Sequence, residues 1–159
     1  MIRPAFLADA MLGRLCRWLR VLNLDTAYYP HLPDPQLVHL ADREQRCLLT
    51  RDKALITGLQ PDCSLLVLHD KPLDQLSQVV DHWSLSLPGQ LFRRCLLCNH
   101  PLEPATPAQI TNLAPSDSRN MIQDCWYCAC CSRLYWPGSH TRRMTRQLSQ
   151  VFPSLCNES

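Results

Sequence analysis

Two Cys-x-x-Cys pairs near the C-terminal end constrain this chain more than any other feature. The pairs are Cys95 with Cys98 and Cys128 with Cys131, and 29 residues separate the inner cysteines. Each pair closes a tight turn that directs two thiolates at one point, and four thiolates complete the tetrahedral shell of a structural Zn²⁺. The pattern therefore predicts a zinc ribbon with an inserted loop. Because such a site has no open position, the chemistry must lie elsewhere in the chain.

Spacing alone does not decide which two cysteines form the second pair. Cys125 and Cys128 form an equally regular Cys-x-x-Cys pair, and Cys130 is an additional thiol beside them. Either arrangement brings two sulfur ligands to a tetrahedral site. The sequence therefore leaves the competition between Cys131, Cys125 and Cys130 undecided at this point.

The cysteine distribution favours a cytoplasmic metal protein over a secreted disulfide scaffold. Six of the ten cysteines lie within residues 95–131, whereas disulfide scaffolds spread theirs along the chain. Cys16, Cys47 and Cys63 lie in apolar segments and are expected to be buried core thiols. No apolar run is long enough for a membrane span, and the first residues lack the long apolar stretch of a signal peptide. We therefore expect no membrane association.

Charge is nearly balanced overall but is unevenly distributed. Residues 1–92 carry nine Lys/Arg and ten Asp/Glu, and residues 93–159 carry seven and four. The basic residues are fourteen arginines and only two lysines. Arginine suits bidentate recognition of phosphate, although a compositional bias explains the same count equally well.

Short apolar segments alternate with amphipathic segments along the first 88 residues. The predicted strands and helices are, in chain order, strand 4–8, helix 11–22, strand 25–29, a helix from Asp34, strand 47–50, helix 53–59, strand 64–68 and helix 73–83. This alternation predicts an α/β fold with a parallel sheet flanked by helices. It stops at a linker, residues 84–89. The sequence shows no glycine-rich phosphate loop, so we expect no small-molecule cofactor.

Three aspartates occupy similar places in this pattern. Asp9 follows the first strand, Asp34 opens the second helix and Asp52 follows the third strand. Ligands of open parallel sheets bind beyond the carboxyl ends of the strands, and clustered carboxylates favour a hard cation such as Mg²⁺ or Mn²⁺. Each aspartate alone is also explained as a helix N-cap, most readily Asp34 before Pro35. The three together favour a catalytic metal site, to which Asp70, after the fourth strand, is a candidate addition.

Two neighbours of Asp52 are further candidates. The hydroxyl of Thr50 is placed to fix a carboxylate or to bind a metal-bound water. Arg51 either contacts a phosphate or is a surface residue with no functional role, and the sequence does not distinguish these alternatives.

These motifs resemble those of the Mut-seven C-terminal RNase domain family. The resemblance rests on FLADAMLGRLCRWLR at residues 6–20, LLTRD at 48–52, CLLCN at 95–99 and CACCSRLYWPGSH at 128–140. It implies a PIN-like nuclease fold with a zinc ribbon, and RNA as the substrate. Carried over by position, it implies the two sets of ligands that follow. They are Asp9, Asp34 and Asp52 for the catalytic metal, and Cys95, Cys98, Cys128 and Cys131 for zinc.

The resemblance also supports Cys128 with Cys131 as the second zinc pair, because a ribbon strand over residues 132–136 should follow directly. It divides the chain into a PIN-like nuclease domain at 1–88, the zinc ribbon at 89–147 and a tail at 148–159. The function implied is a divalent-metal-dependent ribonuclease. The alternatives are an inactive RNA-binding module of the same fold, and a toxin-like or adaptor protein whose ribbon docks a protein partner. The oligomeric state is not indicated.

Five residues are candidates for RNA contact: Arg14, Arg17, Arg51, Trp136 and His140. The first two share a helix surface close to the first aspartate. The tryptophan is placed to stack on an unpaired base, although it or the adjacent tyrosine is expected to belong to the ribbon core. The histidine is a phosphate contact, a proton donor or, as is more common, a hydrogen-bonded structural residue.

The arginines elsewhere on these helices have alternative roles. Arg142, Arg143 and Arg146 form a basic segment that binds RNA backbone or is a solvated helix face. On the first helix, Arg20 is expected on the side away from the leucine face, like the two arginines before it.

Overall fold

Four short parallel strands form the main sheet in the computed structural model, which describes residues 3–119 and 124–156. The strands are β1 (Phe6–Ala8), β2 (Thr26–Tyr28), β3 (Cys47–Thr50) and β4 (Ser64–Leu66). Their order is β2-β1-β3-β4, and all neighbours pair in parallel. The chain steps outward from β1 to β2 and then crosses back to β3. The topological switch, where ligands of such sheets bind, therefore lies between β1 and β3.

Helices cover both faces of this sheet. They are α1 (Gly13–Val21), α2 (Asp34–Arg43), α3 (Lys53–Leu59) and α4 (Pro72–His82). Successive strand residues point to opposite faces, so Phe6 and Ala8 join one buried cluster with α1 and α4, whereas Leu7 joins another with α2 and α3. The predicted α/β class with a helix-flanked parallel sheet is confirmed. None of the helices in the described ranges is both long and apolar enough to span a membrane.

The C-terminal segment forms a second, antiparallel sheet followed by a helix that returns to the main core. Its elements are β5 (Glu103–Pro104), α5 (Pro107–Leu113), β6 (Trp126–Cys128), β7 (Arg133–Tyr135) and α6 (Ser139–Val151). The strand order is β5-β6-β7. Met144 and Leu148 of α6 are buried with Phe152 in the same cluster as α1 and α4. Along the chain, the ribbon therefore lies between the N-terminal α/β segment and α6, both of which contribute to the main core.

Three local expectations from the sequence were wrong. Asp34 is not the N-cap of α2: Pro33 holds that position, and Asp34 is the first helical residue with no side-chain cap bond. Cys47 and Cys63 are not free core thiols, because they form a disulfide between β3 and the start of β4. Arg20 is not on the solvent side of α1, since only 4 % of it is exposed.

Buried Arg20 ties the first cysteine turn to the main sheet. Its Nη1 donates to the carbonyl oxygens of Leu96 and Leu97, at 2.9 Å each. Its Nε and Nη2 donate to the carbonyl oxygen of Thr26 in β2, at 3.0 and 2.9 Å. A guanidinium is the one side chain that can satisfy several carbonyls in a fixed fork. Asn99 adds to this contact by accepting from the backbone N–H of Thr26.

We expect Arg20→Met to destabilise the protein by about 3 kcal/mol, because methionine fills the volume but removes every guanidinium bond to the carbonyls of Leu96, Leu97 and Thr26. Arg14→Met, on an exposed face of the same helix, is the matched control and should change stability by less than about 0.5 kcal/mol. Urea denaturation of the zinc-saturated chain measures both. Equal midpoints for the two variants would show that Arg20 does not anchor the cysteine turn.

Candidate metal centre and acidic edge

Four cysteine sulfurs, two from each Cys-x-x-Cys pair of the ribbon, converge on one point. The Sγ atoms of Cys95, Cys98, Cys128 and Cys131 all lie within 4.8 Å of one another. Cys95 is 3.9 Å from Cys131, and Cys98 is 3.5 Å from Cys128. A tetrahedral Zn²⁺ with bonds of about 2.3 Å places its sulfurs about 3.8 Å apart. The donor set and its spacing therefore fit a structural zinc ion with no open coordination position.

Both cysteine turns end in a residue with left-handed backbone. Asn99, directly after Cys98, has φ 70°, and Ser132, directly after Cys131, has φ 51°. This conformation turns the chain back after the second cysteine, so that both thiols of a pair face the same point. In the second turn the backbone N–H of Cys131 donates to the sulfur of Cys128 at 3.4 Å. Such a bond favours the thiolate form that a metal requires.

The protein groups alone make one of the four thiols acidic. Burial raises the pKa of Cys95, but the Tyr135 hydroxyl, 3.0 Å from its sulfur, and the backbone N–H groups of Cys98 and Leu97 lower that pKa to about 6. The pKa of Cys131 is raised, chiefly by its hydrogen bond with Cys98 and also by burial and by its neighbour Cys95. One thiolate thus opposes ionisation of the next, as expected for like charges that no cation offsets.

The other cysteines of this region lie outside the group. Cys125 is buried, and its sulfur approaches the carbonyl oxygen of Trp126. Cys130 is exposed. The strand β7 begins two residues after Cys131, as the ribbon reading required. The structure therefore assembles the second pair from Cys128 and Cys131 and uses neither of the competing thiols.

Asp9 lies at the carboxyl end of β1, beside the topological switch. Its backbone N–H donates to the carbonyl oxygen of Leu49 in β3, at 2.9 Å. One carboxylate oxygen accepts from the N–H of Ala10 and so caps the 3₁₀ turn that precedes α1. The other accepts from the Thr50 hydroxyl at 2.8 Å. Only 9 % of the residue is exposed, so the carboxylate is held in one orientation at the sheet edge.

Thr50 links Asp9 to Asp52. Its hydroxyl oxygen accepts from the backbone N–H of Asp52 at 3.0 Å while it donates to Asp9. The sequence indicated a carboxylate role for this hydroxyl beside Asp52, and the structure assigns the bond to Asp9. Asp52 itself caps α3, since its Oδ1 accepts from the N–H groups of Ala54 and Leu55. Two of the three predicted acids thus lie at adjacent strand ends, and one hydroxyl links the carboxylate of Asp9 to the backbone of Asp52.

Asp34 and Asp70 are placed differently. Asp34 opens α2, and its exposed carboxylate makes no cap bond. Asp70 has 87 % of its side chain exposed and forms an ion pair with Arg51. In residues 3–119 and 124–156, the four cysteines are the one set of three or more His, Cys, Asp or Glu residues with all ligand atoms within 4.8 Å. Asp9, Asp34 and Asp52 do not converge to that degree.

The residues expected to contact RNA fall into two groups. Arg17, Trp136 and His140 line one groove between the ribbon, the 85–93 segment and α6. Arg14 is exposed on α1 outside this groove, and Arg51 is engaged by the acid beside it. Tyr135 packs against the core clusters, so it is the aromatic residue of the ribbon that belongs to the core. Trp136, the next residue, lines the groove.

One feature of this groove has no signal in the sequence. The guanidinium carbon of Arg93 lies 3.6 Å from the centre of the Trp126 ring, a cation–π contact across the start of the groove. Burial lowers the pKa of Arg93, and Asp124 opposes that effect. The two partners are far apart in sequence and follow no local pattern, so only the ribbon topology reveals them.

Comparison with known proteins gives one finding. The family model of the Mut7-C RNAse domain matches residues 4–148, which is most of the chain. This confirms the family indicated by the sequence motifs. In the comparisons with curated proteins and with solved structures, nothing matches the chain.

Proposed function

This chain belongs to the Mut7-C RNAse domain family, and on that premise we propose that it is a divalent-metal-dependent ribonuclease. The family suggests a ribonuclease-like function with RNA as substrate. The finer proposal is that Asp9, Asp34 and Asp52 hold Mg²⁺ or Mn²⁺ where RNA phosphodiester bonds are hydrolysed. The observation that carries it is the Thr50 hydroxyl, which at the topological switch holds the carboxylate of Asp9 and accepts from the backbone N–H of Asp52.

The chemistry of the donor set fits such an ion. Mg²⁺ retains several waters and needs only one or two direct carboxylates together with substrate phosphate, so three converging acids are not required. Asp9 is oriented by two hydrogen bonds, each of which leaves its oxygens further lone pairs. Asp34 makes no cap bond that would compete for its carboxylate.

The chain's own residues have distinct parts in the proposed reaction. The aspartates supply negative charge and orientation at the sheet edge, and Arg14 and Arg17 on α1 hold the substrate phosphates. A bound divalent ion would supply activation of water and stabilisation of charge on the phosphoryl oxygens. No protein nucleophile is needed. The zinc ribbon stabilises the fold and positions RNA, and we propose a cytoplasmic location for the protein.

The test is the metal dependence of RNA cleavage by the full, zinc-loaded chain. Single-stranded and structured RNAs labelled at one end are incubated with Mg²⁺, with Mn²⁺ or with neither. The ion is omitted rather than chelated, because EDTA also competes for the zinc. Cleavage only when the ion is added supports the proposal, and equal cleavage without it contradicts it. The pattern of labelled products also separates endonucleolytic from exonucleolytic action.

One observation favours a second candidate, a non-catalytic RNA-binding module. The ligand atoms of Asp9, Asp34 and Asp52 do not all lie within 4.8 Å of one another in the described structure. If the protein binds RNA with no cleavage under any of these ions, this second function replaces the first.

A further inference from the structure

A long groove runs between the ribbon and the main core. Its walls are the 85–93 segment, β7 and the exposed face of α6, and its volume is about 1680 Å³. Pockets for small molecules are typically about 300–1,000 Å³, so this groove is larger than one such ligand requires. Its shape suits a segment of a polymer.

Positive charge dominates the lining of this groove. Its charged residues are Arg17, Arg93, Arg133, Arg142 and Arg146, opposed by Asp81 and Asp124. Arginine in excess along one concave surface attracts phosphates and provides bidentate donors for them. Acidic polymers are therefore the class of ligand that the groove accepts.

The arginines of α6 are divided between two faces of the helix. Arg142 and Arg146 are one turn apart, about 6 Å along the axis, and both line the groove. Arg143, one residue further round the helix, is exposed but lies outside the groove. The basic segment noticed in the sequence is thus a groove-facing pair plus one solvated arginine.

Aromatic side chains distinguish this groove from a purely basic surface. The ring of Trp126 is covered by Arg93. Trp136 lines the groove half-buried, and it makes no ring–ring or cation–π contact with the part of the chain that is described. A tryptophan face beside arginines is the arrangement on which unpaired bases stack while phosphates are neutralised.

From these contacts we infer that the groove binds a single-stranded segment of RNA. The inference rests on the proposed function, because it names the form of the RNA substrate and the surface that holds it. Paired bases in a duplex are not available to stack on Trp136, so the groove selects unpaired RNA over duplex. An acidic protein segment can pair with the arginines of the groove but has no base to stack on the ring of Trp136.

Arg17 is the α1 residue that lines the groove. It lies on α1 one turn, about 6 Å, beyond Gly13, where the helix begins after the 3₁₀ turn capped by Asp9. RNA held along α6 and the ribbon therefore contacts α1 at Arg17, whereas the 85–93 wall lies at the far end of that helix, where the N–H of Phe92 donates to the carbonyl oxygen of Val21. In this arrangement the ribbon holds RNA upstream or downstream of the bond that the aspartates address.

The experiment measures binding without cleavage, in full-length zinc-loaded protein carrying Asp9→Asn. Fluorescence anisotropy compares a labelled single-stranded RNA with the same strand in a perfect duplex, over a series of salt concentrations. The groove variant is Arg142→Gln with Arg146→Gln. Its matched control, Arg143→Gln with Arg43→Gln, removes the same charge from exposed positions outside the groove. Circular dichroism and zinc content establish that each variant is folded.

We expect the groove variant to bind single-stranded RNA at least about tenfold more weakly, with a log–log salt slope shallower by about 1.4 because two phosphate contacts are lost. The control variant should stay within about twofold. Trp136→Leu should weaken binding about fivefold or more with an unchanged salt slope, since it removes stacking and no charge. Duplex RNA should bind more weakly than the single strand to the parent protein.

Three results would overturn the inference. They are equal losses in the groove and control variants, equal affinity for duplex and single strand, and displacement of RNA by a polyglutamate peptide that binds more tightly and depends on the same arginines. The failure of the proposed function looks different: wild-type protein then cleaves no RNA with any ion, yet the groove variants still lose binding. Conversely, if the groove substitutions leave RNA cleavage unaffected, the groove is not the RNA-binding surface, and the proposed ribonuclease function is retained.

Discussion

Asp9→Asn should reduce metal-dependent RNA cleavage by at least about 100-fold while the protein remains folded. The carboxylate supplies charge at the proposed cation, and such charge stabilisation is worth several kcal/mol in the transition state. Asparagine keeps an oxygen for the N–H of Ala10 and offers an N–H to the Thr50 oxygen. The fold should therefore lose no more than about 1 kcal/mol.

The matched control is Asp62→Asn. Asp62 is an exposed aspartate that precedes β4, so it lies at the opposite, amino edge of the same parallel sheet. Cleavage rates at saturating Mg²⁺ or Mn²⁺ should be unchanged in this variant. Thermal unfolding of all three proteins separates chemistry from stability. If Asp9→Asn cleaves RNA as fast as the wild type, Asp9 does not belong to the active site. The carboxyl edge of the sheet is then not the site of cleavage.

The sheet was predictable because its signals are local. A short apolar segment followed by an aspartate recurs after β1 and β3, and the alternation with helices dictates a parallel arrangement. Parallel pairing then places both aspartates at one edge without any knowledge of side-chain contacts. The Thr50 bond to Asp9 was partly predictable for the same reason, since hydroxyl and carboxylate end neighbouring strands.

The features that the sequence did not reveal depend on contacts between distant segments. Arg20 follows the periodicity of a solvent-exposed residue, and only the docking of Leu96 and Leu97 against α1 buries it. Asp34 is a local exception: it was assigned as a cap because aspartate before proline is a common helix start, yet the residue directly before it, Pro33, supplies the extended N-cap conformation. The groove needs three separate segments at once, so no local pattern indicates it.

Cys128→Ser should abolish stoichiometric zinc binding and unfold the ribbon. The wild-type chain should bind about one zinc ion, because its four sulfurs already lie within 4.8 Å of one another. The free energy of structural zinc binding, about 10–16 kcal/mol in small zinc domains, acts as folding free energy. Losing one of four thiolates, here a fully buried one, therefore costs more than any single packing change in this protein.

The consequences should reach beyond the ribbon. Arg20 in α1 depends on carbonyls of the first cysteine turn, and α6, which follows the ribbon, buries Met144 and Leu148 in the main core. Without the metal, both contacts lose their support, so the melting temperature of the whole chain should fall rather than that of a separate module. The fall in melting temperature is followed by far-UV circular dichroism and zinc by elemental analysis.

Cys130→Ser is the matched control, because it makes the same atomic change two residues away at an exposed thiol outside the cluster. It should keep about one zinc per chain and the wild-type melting temperature, and Cys125→Ser should also retain the metal. If Cys128→Ser binds zinc as well as the wild type does, Cys125 or Cys130 has replaced the lost ligand. That result would mean that spacing alone does not select the ligand set, and the group of four cysteines described above would be one of two available to the chain.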